Sequence, residues 1–232
     1  MGPLNIGIIG MGVIANNHIR AISEGREGRL WSICDVDERI LAAKGEELGI
    51  PESRRYPDHA AMLADPALDA VIICTPNADH CRIAGDAARA GKPFALEKPV
   101  ALRADEAREL RALLAKHPLP HMVCFTYRYT AAARYARHLI RQGKLGKIRH
   151  VYGQYLQSWA IEERLPLLWR FRKALSGSGA LGDLGSHLLD LMRFLVGEPR
   201  RVAAHAGTIV KERALPDLSG TGEVDVDDYC HV

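Results

Sequence analysis

The sequence contains no hydrophobic run long enough to span a bilayer, which takes about 20 consecutive apolar residues. Its first apolar run, residues 6–9, has no positively charged region ahead of it, as a secretory signal would have. We therefore interpret residues 6–9 as part of a folded domain, rather than as a signal peptide or a membrane segment.

Cysteine is scarce and shows no pairing pattern. The five cysteines are odd in number and none belongs to a Cys-x-x-Cys pair. Cys34, Cys74 and Cys124 lie in or end apolar runs, which is typical of small buried side chains rather than of disulfides or metal ligands. The sequence thus predicts no metal site, and a reducing cytoplasm is the compartment we expect.

A strong excess of charge of one sign is also missing. The net charge is only +3, and lysine and arginine are scattered along the chain. A nucleic-acid interface needs basic residues concentrated on one face, so neither nucleic acid nor a membrane is an expected partner. With 47% apolar and 25% charged residues, the composition is that of an ordinary globular protein.

The first half of the chain alternates between short apolar runs and longer stretches of helical periodicity. Strands joined by helical crossovers predict a parallel sheet, and strands without polar alternation predict burial on both faces. We predict a doubly wound α/β Rossmann domain over residues 1–122. The predicted strands are residues 4–9, 30–34, 55–56, 69–74, 94–96 and 122–125, and the predicted helices are 13–23, 38–48, 58–64, 78–90 and 104–116.

The pattern changes in the second half. A helix is predicted over 131–141, a long strand over 148–157, a helix over 181–196, and strands over 201–210 and 224–232. This spacing favours an α+β domain with a mixed or antiparallel sheet over residues 123–232. Because the chain stops within the last predicted strand, we expect this domain to be incomplete, with the sequence truncated at its C-terminal end.

A glycine-rich loop follows the first strand and opens the first helix. Gly10 permits a tight turn, Gly12 lets the backbone approach a pyrophosphate, and Ala15 lets the helix lie close to the sheet. Backbone N–H groups at the helix start, including those of Val13 and Ile14, would face the phosphates. The loop and its context predict a dinucleotide site.

Asp35 ends the second strand, where an acid would accept hydrogen bonds from the adenosine ribose. A carboxylate there would repel a 2′-phosphate, which favours NAD over NADP, although Arg39 nearby leaves NADP open. The alternative is that Asp35 is only a turn residue before the next helix.

Two polar segments follow later strands of the predicted sheet, at the edge where ligands bind in this fold. In the segment Glu97-Lys98-Pro99, the lysine is either functional or paired with Glu97 as a surface charge. In the segment Thr75-Pro76-Asn77, with His80 one turn later, the side chains either touch the nicotinamide ribose or cap the next helix.

A third polar segment runs from Trp169 to Asp190. Asp183 and His187 are spaced i and i+4, so on a helix they share one face. A carboxylate beside an imidazole raises its basicity, which suits a general base near neutral pH. An exposed Asp–His pair and a pair of metal ligands are the alternatives.

Together these motifs resemble the glucose–fructose oxidoreductase/inositol dehydrogenase (Gfo/Idh/MocA) family. The resemblance covers residues 5 to about 230 and is most specific in Glu97-Lys98-Pro99 and in the run from Gly179 to Asp190. The remaining matched pieces are the glycine loop, Thr75-Pro76-Asn77 with His80, Tyr127-Arg128-Tyr129 and Trp169-Arg170.

The resemblance implies that Lys98, Asp183 and His187 form a catalytic trio. His187 would take the proton of a substrate hydroxyl, Asp183 would orient His187, and Lys98 would hydrogen-bond the reacting oxygen. Arg128, Trp169 and Arg170 would face cofactor or substrate. The expected protein is an NAD-dependent dehydrogenase acting on a secondary alcohol of a sugar, cyclitol or related polyol, and a homo-oligomer at full length.

A second hypothesis is a dinucleotide-binding regulator on the same scaffold that performs no catalysis. Such a protein could keep the glycine loop while losing the lysine or the histidine. Both Lys98 and His187 are present here, so we prefer the enzyme.

Overall fold

Parallel strand pairing builds the N-terminal part of the molecule. The computed structural model describes residues 2–232. Its largest sheet has the order β3-β2-β1-β4-β5-β6, with every neighbouring pair parallel. The strands are β1 (Leu4–Ile9), β2 (Gly28–Cys34), β3 (Arg55–Tyr56), β4 (Ala70–Ile73), β5 (Phe94–Leu96) and β6 (His121–Val123). This order is that of the Rossmann fold, so the predicted doubly wound sheet is confirmed.

Five helices connect these strands and lie within two residues of their predicted bounds at either end. They are α1 (Ala15–Glu24), α2 (Glu38–Glu47), α3 (His59–Leu63), α4 (His80–Arg89) and α5 (Ala104–Lys116). A 3₁₀ turn, Asn77–Asp79, precedes α4.

Apolar residues cover both faces of this sheet. Ile8 and Ile9 are consecutive on β1 and therefore point to opposite faces, yet both are buried. Ile8 packs in a cluster with Ala15 and Ile33, whereas Ile9 packs with Ile73. Burial on both faces explains why the strands lack alternation.

The cysteines follow the sequence prediction. Cys34, Cys74 and Cys124 are buried, and all five cysteines are free thiols. No helix within residues 2–232 combines the length and the apolarity needed to cross a bilayer.

The chain divides into two compact units, one ending at Cys124 and the other spanning Phe125–Val232. We refer to them as the N-terminal and C-terminal units. The helices of the C-terminal unit are α6 (Ala131–Arg141), α7 (Lys173–Ser176) and α8 (Ser186–Val196). Its strands are β7 (His205–Gly207), β8 (Glu212–Ala214), β9 (Thr221–Glu223) and β10 (Tyr229–His231), which form the antiparallel pairs β7–β10 and β8–β9.

The two predicted helices of this unit are confirmed, with one local difference. α6 has its predicted bounds, and the side chain of Thr130 caps it by accepting the N–H of Ala133 at 3.3 Å. The predicted helix 181–196 begins instead as a π-helical turn, Leu181–Gly185, and continues as α8.

The predicted strands of this unit are largely wrong. Residues 148–157 form no strand, and the predicted strands 201–210 and 224–232 shrink to the three-residue β7 and β10. A strand exists only where another strand pairs with it, and no segment of residues 2–232 pairs with 148–157. Alternating polar and apolar residues therefore indicated which side chains share a face. They did not indicate whether another strand would pair with the segment.

Candidate functional site

The glycine loop turns sharply at the end of β1. Gly10 has a φ of +90°, and a Cβ there would lie 2.8 Å from backbone atoms of Cys74 and Thr75. A side chain at this position would therefore clash with the end of β4, in a conformation that L-residues rarely adopt. Gly10 lets β1 turn directly over its neighbouring strand.

The start of α1 has the properties of a phosphate cradle. The N–H groups of Ala15, Asn16 and Asn17 donate to the carbonyls of residues 12–14. The amides of residues 12–14 themselves precede this first turn, so they are available to bind an anion. A Cβ at Gly12 would have no atom within 4 Å, so the space in front of it is open. Val13, at the start of this turn, is 85% exposed. These features fit a bound pyrophosphate.

Asp35 links the end of β2 to the glycine loop. Its carboxylate accepts the N–H of Met11 at 2.7 Å and the N–H of Asp37 at 2.9 Å. Capping of α2 falls to Asp37, which accepts the N–H groups of Arg39 and Ile40. Asp35 therefore organises the loop as well as the turn, and its remaining lone pairs suit ribose hydroxyls.

His80 lies at the start of α4 and is completely buried. Its Nδ1 lies 2.6 Å from the carbonyl oxygen of Pro99, and its Nε2 lies 3.0 Å from that of Thr75. The ring thus ties the end of β4 to the segment that follows Lys98. Burial lowers the pKa of His80, while these two carbonyls and the carboxylates of Glu97 and Asp79 act in the opposite direction.

Thr75 does not cap the helix that follows it. Its Oγ1 is buried and has no hydrogen-bond partner among residues 2–232. A buried hydroxyl without a partner costs free energy, so such a group is a candidate for contact with a ligand.

Glu97 is not a surface charge. It is 8% exposed, its Oε1 lies 2.8 Å from Nε2 of His18, and its Oε2 accepts the N–H of Lys98 at 3.1 Å. Burial raises the pKa of this carboxyl, but the hydrogen bond and charge of His18, together with Lys98, outweigh burial and lower it overall. The carboxylate fixes the backbone that carries Lys98, whose peptide bond to Pro99 is cis.

In the C-terminal unit, aromatic rings surround His187 on α8. The ring of Tyr127 lies 4.6 Å from the imidazole between centroids, Phe125 meets it edge-on at 6.0 Å, and Tyr155 lies at 6.3 Å. The hydroxyls of Tyr127 and Tyr155 are 2.6 Å apart. This hydrogen bond, with burial and the charges of Tyr155 and Asp183, raises the pKa of Tyr127 to about 12, so the Tyr127 hydroxyl keeps its proton near neutral pH.

Arg128 and Asp190 form a bidentate pair beside this cluster. Nε of Arg128 donates to one carboxylate oxygen of Asp190 at 2.9 Å, and its Nη2 donates to the other. Asp190 is buried and lies three residues after His187, on the same helix. The pair holds the 3₁₀ turn Thr126–Tyr129 against α8.

Asp227 holds the start of the segment that carries Asp183. Its carboxylate oxygens accept the N–H of Gly179 at 2.8 Å and that of Leu181 at 2.6 Å, while its backbone carbonyl accepts the N–H of Ala180. An aspartate from a distant part of the chain thereby caps this helix.

Trp169 and Arg170 lie in a 3₁₀ turn, Trp169–Phe171. The guanidinium carbon of Arg170 lies 4.5 Å from the centroid of the Trp169 ring, a cation–π contact. Phe171 anchors the turn in the core of the C-terminal unit, with Leu167, Val224 and Val226.

The predicted site residues fall into two groups, each brought together within its own unit. The N-terminal unit gathers Gly10, Gly12, Val13, Ile14, Asp35, Thr75, Pro76, Asn77, His80, Glu97 and Lys98 around the ends of its strands. The C-terminal unit carries Arg128, Trp169, Arg170, Asp183 and His187.

Comparison with known families matches both units of the chain. Residues 4–125 match the model described as the oxidoreductase family with NAD-binding Rossmann fold, and residues 133–232 match the GFO/IDH/MocA C-terminal domain. The chain belongs to the Gfo/Idh/MocA family. The resemblance found from the motifs is confirmed.

Several relatives in this family are named for sugars or cyclitols. Levoglucosan dehydrogenase of Pseudarthrobacter phenanthrenivorans is 36% identical, over 98% of this chain and 63% of its own length. Inositol 2-dehydrogenase of Rhizobium meliloti is 29% identical, over 96% of this chain and 64% of its own. A solved levoglucosan dehydrogenase in complex with NADH and L-sorbose has a TM-score of 0.91 at 34% identity, covering 98% of this chain and 62% of that one.

The chain thus spans somewhat less than two thirds of the length of these Gfo/Idh/MocA relatives.

Sequence reasoning missed the residues that support the site. The missed contacts are His18 with Glu97, Tyr155 with Tyr127, Arg128 with Asp190, and Asp227 with residues 179–181. Each joins residues at least 28 positions apart, so no local spacing announces it. The one available signal was Asp190, which closes the matched run from Gly179 but had been given no role.

Proposed function

We propose that this protein is an NAD-dependent oxidoreductase that transfers hydride between a nicotinamide cofactor and a secondary alcohol of a sugar, cyclitol or related polyol. The observation that carries the proposal is the setting of His187. Its imidazole is enclosed by Phe125, Tyr127 and Tyr155 on the helix that follows Asp183, in a chain whose other unit has a Rossmann phosphate cradle.

The cofactor is held by the N-terminal unit. The amides of residues 12–14 and the start of α1 bind the pyrophosphate, and Asp35 binds the adenosine ribose. Thr75 and Asn77 contact the nicotinamide ribose, and the orphaned Oγ1 of Thr75 supports this assignment. His80 contributes by holding Thr75 and Pro99 in place. When bound, the nicotinamide supplies a two-electron hydride acceptor.

The proton chemistry belongs to His187. A neutral imidazole accepts the proton of the substrate hydroxyl, and the neighbouring Asp183 carboxylate stabilises the imidazolium that forms. By the resemblance to the family, Lys98 of the N-terminal unit would donate a hydrogen bond to the reacting oxygen and stabilise its negative charge as the proton leaves.

Asp35 makes NAD the preferred cofactor. Its carboxylate already accepts two backbone N–H groups, and a 2′-phosphate beside this carboxylate would meet like-charge repulsion. Arg39, which would have to compensate, has a 93% exposed side chain paired with Asp37.

Hydroxyl-rich substrates fit the polar and aromatic groups near His187. The hydroxyls of Tyr127 and Tyr155 both donate and accept hydrogen bonds, as sugar hydroxyls do. Trp169, with Arg170 against it, offers an apolar ring face with an adjacent donor. The relatives named for levoglucosan, apiose and inositol point to the same class of substrate.

The compartment and the assembly are part of the proposal. Five free thiols, three of them buried, suit the reducing cytoplasm. A homo-oligomer is the expected assembly of the whole protein.

The test is NADH formation on a polyol panel that includes levoglucosan, apiose and inositol, with Lys98→Ala and His187→Ala alongside. We expect turnover on at least one polyol, and a loss in both variants of roughly 100-fold or more in kcat, the range of general acid–base catalysis. Unchanged turnover in both variants would remove the mechanism. Tight NAD binding without turnover on any alcohol would favour the regulator instead.

A further inference from the structure

Three side chains with metal-binding atoms converge in the N-terminal unit. They are His18 on α1, Glu97 after β5 and Cys124 after β6, and one ligand atom from each lies within 4.8 Å of the other two. Three separate elements of the fold supply them. The sequence predicted no metal site. His18 and Glu97 are 79 positions apart and Glu97 and Cys124 are 27 apart, so no local ligand spacing indicates the trio.

The dimensions of this trio suit a zinc-sized ion. Zinc bonds of about 2.0–2.3 Å in tetrahedral geometry place neighbouring ligand atoms roughly 3.3–3.6 Å apart. Nε2 of His18 and Oε1 of Glu97 are now 2.8 Å apart, and the widest separation in the trio is below 4.8 Å. Small side-chain rotations would therefore bring all three atoms onto one ion.

The donor set selects a class of metal. Imidazole, carboxylate and thiolate together match zinc and its neighbours, whereas magnesium and calcium prefer oxygen ligands alone. The second oxygen of Glu97 accepts the N–H of Lys98, so a rotation of this carboxylate toward an ion changes the hydrogen bond that holds the Lys98 backbone.

The trio is largely buried but remains partly accessible to solvent. The side chains of His18 and Glu97 are 16% and 11% exposed, and Cys124 is 4% exposed. The partial exposure of His18 and Glu97 gives an ion a route from solvent to the trio.

We propose that His18, Glu97 and Cys124 form a binding site for a zinc-class divalent cation, and that its occupation opposes cofactor binding. The cation displaces the thiol proton of Cys124 and the Nε2 proton of His18, and both protons pass to solvent. Glu97 then turns from His18 toward the ion, which disturbs the backbone of Lys98 at the edge of the sheet where the dinucleotide binds.

The first experiment titrates this chain with Co²⁺ as a spectroscopic probe and with Zn²⁺ against a chelating dye. We expect one equivalent to bind, with a thiolate-to-cobalt charge-transfer band. Cys124→Ala removes one ligand and should abolish the band. It should also lower zinc affinity by at least about 100-fold, because loss of a residue that only contacts a metal ligand already lowers affinity by up to about 100-fold.

Matched controls are Cys34→Ala and Cys81→Ala, which remove free thiols of the same unit that lie outside the trio. Both should keep the band and the affinity. If Cys124→Ala retains the band, if either control loses it, or if the wild-type chain binds no cobalt, the site does not exist. Thermal unfolding of each variant shows whether it is folded, and Cys124→Ser repeats the test if the alanine variant is not.

The second experiment measures NADH binding with and without Zn²⁺. The wild-type chain should bind NADH at least about tenfold more weakly in excess zinc, a change of about 1.4 kcal/mol. Cys124→Ala should bind NADH equally in both conditions. Equal NADH affinity in the wild type at saturating zinc would overturn the antagonism, and the first experiment reports on the site independently of any dehydrogenase activity.

Discussion

The N-terminal and C-terminal units use β-structure in opposite ways. The N-terminal unit joins strands of up to seven residues into one six-stranded parallel sheet whose faces are both covered. The C-terminal unit has only three-residue strands in two separate pairs. Tyr152 and Leu156, in the segment that was predicted as a strand, are more than three quarters exposed.

The two units also hold their functional residues in different ways. In the N-terminal unit, backbone geometry acts beside the carboxylates of Asp35 and Glu97, because Gly10 turns the chain tightly against the end of β4. In the C-terminal unit, charged side chains do this work, since Asp190 and Asp227 hold the segments around His187. We therefore expect backbone substitutions to damage the first unit most and charge substitutions to damage the second.

The largest effect is expected from Gly10→Ala, which tests the backbone side of the comparison. The methyl group would clash with the end of β4 at a φ of +90°, so the free energy of unfolding should fall by about 2–3 kcal/mol. Urea unfolding measures this loss. Gly12→Ala is the control, because its methyl group meets no atom within 4 Å and should leave stability unchanged or slightly raised. Equal losses in both variants would show that the turn is not the cause.

Arg128→Gln tests the charge side of the comparison. It leaves the buried Asp190 carboxylate without its bidentate partner, which should cost about 2–3 kcal/mol in unfolding free energy, less than for a fully buried pair because Arg128 is partly exposed. It should also lower kcat more than it raises KM, because the turn that places Tyr127 against His187 loosens.

Arg193→Gln is the matched control for that variant. Arg193 lies on the same helix as Asp190 and forms an exposed bidentate pair with Glu198, which this variant breaks. Exposed ion pairs contribute at most about 1 kcal/mol to the free energy of unfolding. If the two variants lose equal stability, the buried pair does not hold the turn.

An intermediate effect, on cofactor preference rather than on stability, is expected from Asp35→Ser. Removing the carboxylate relieves repulsion of a 2′-phosphate, so the ratio of NADPH to NADH affinity should rise by roughly tenfold, about 1.4 kcal/mol. Parallel titrations with the two cofactors measure the ratio. An unchanged ratio would mean that Asp35 only orders the loop through Met11 and Asp37.

The smallest effect concerns acid stability of the N-terminal unit. Burial raises the pKa of Asp65, but hydrogen bonds from Trp31, Ala67 and Tyr56 and the charge of Lys92 lower it overall. Its stabilising contribution is therefore present above the unfolded pKa, about 3.9, and is lost as the pH falls through the lower folded value. Asp65→Asn should cost about 1 kcal/mol at neutral pH and flatten the stability loss below pH 4 or so. Glu46→Gln, at an exposed position of α2 in the same unit, should change neither. If the two variants share one acid profile, Asp65 is not the cause.

The sequence predicted the N-terminal unit better than the C-terminal unit. The parallel sheet, its helices and the dinucleotide loop were predictable because each depends on residues close in sequence, such as Gly10 with the strand before it. Residues 148–157 were not, because alternation gives the face of a strand and pairing decides whether the strand forms. The settings of His187 and Glu97 also escaped prediction, since Tyr155 and His18 approach them only through the fold.

The most direct test of the central claim is a titration of this chain with NADH, compared with Gly12→Ala. The claim is that the open space before Gly12 and the amides at the start of α1 receive the cofactor's pyrophosphate. We expect saturable one-to-one binding to the wild-type chain, weakened about tenfold or more by the added methyl group while stability holds. Equal NADH affinity in the two chains, or no saturable binding to the wild type, would contradict it.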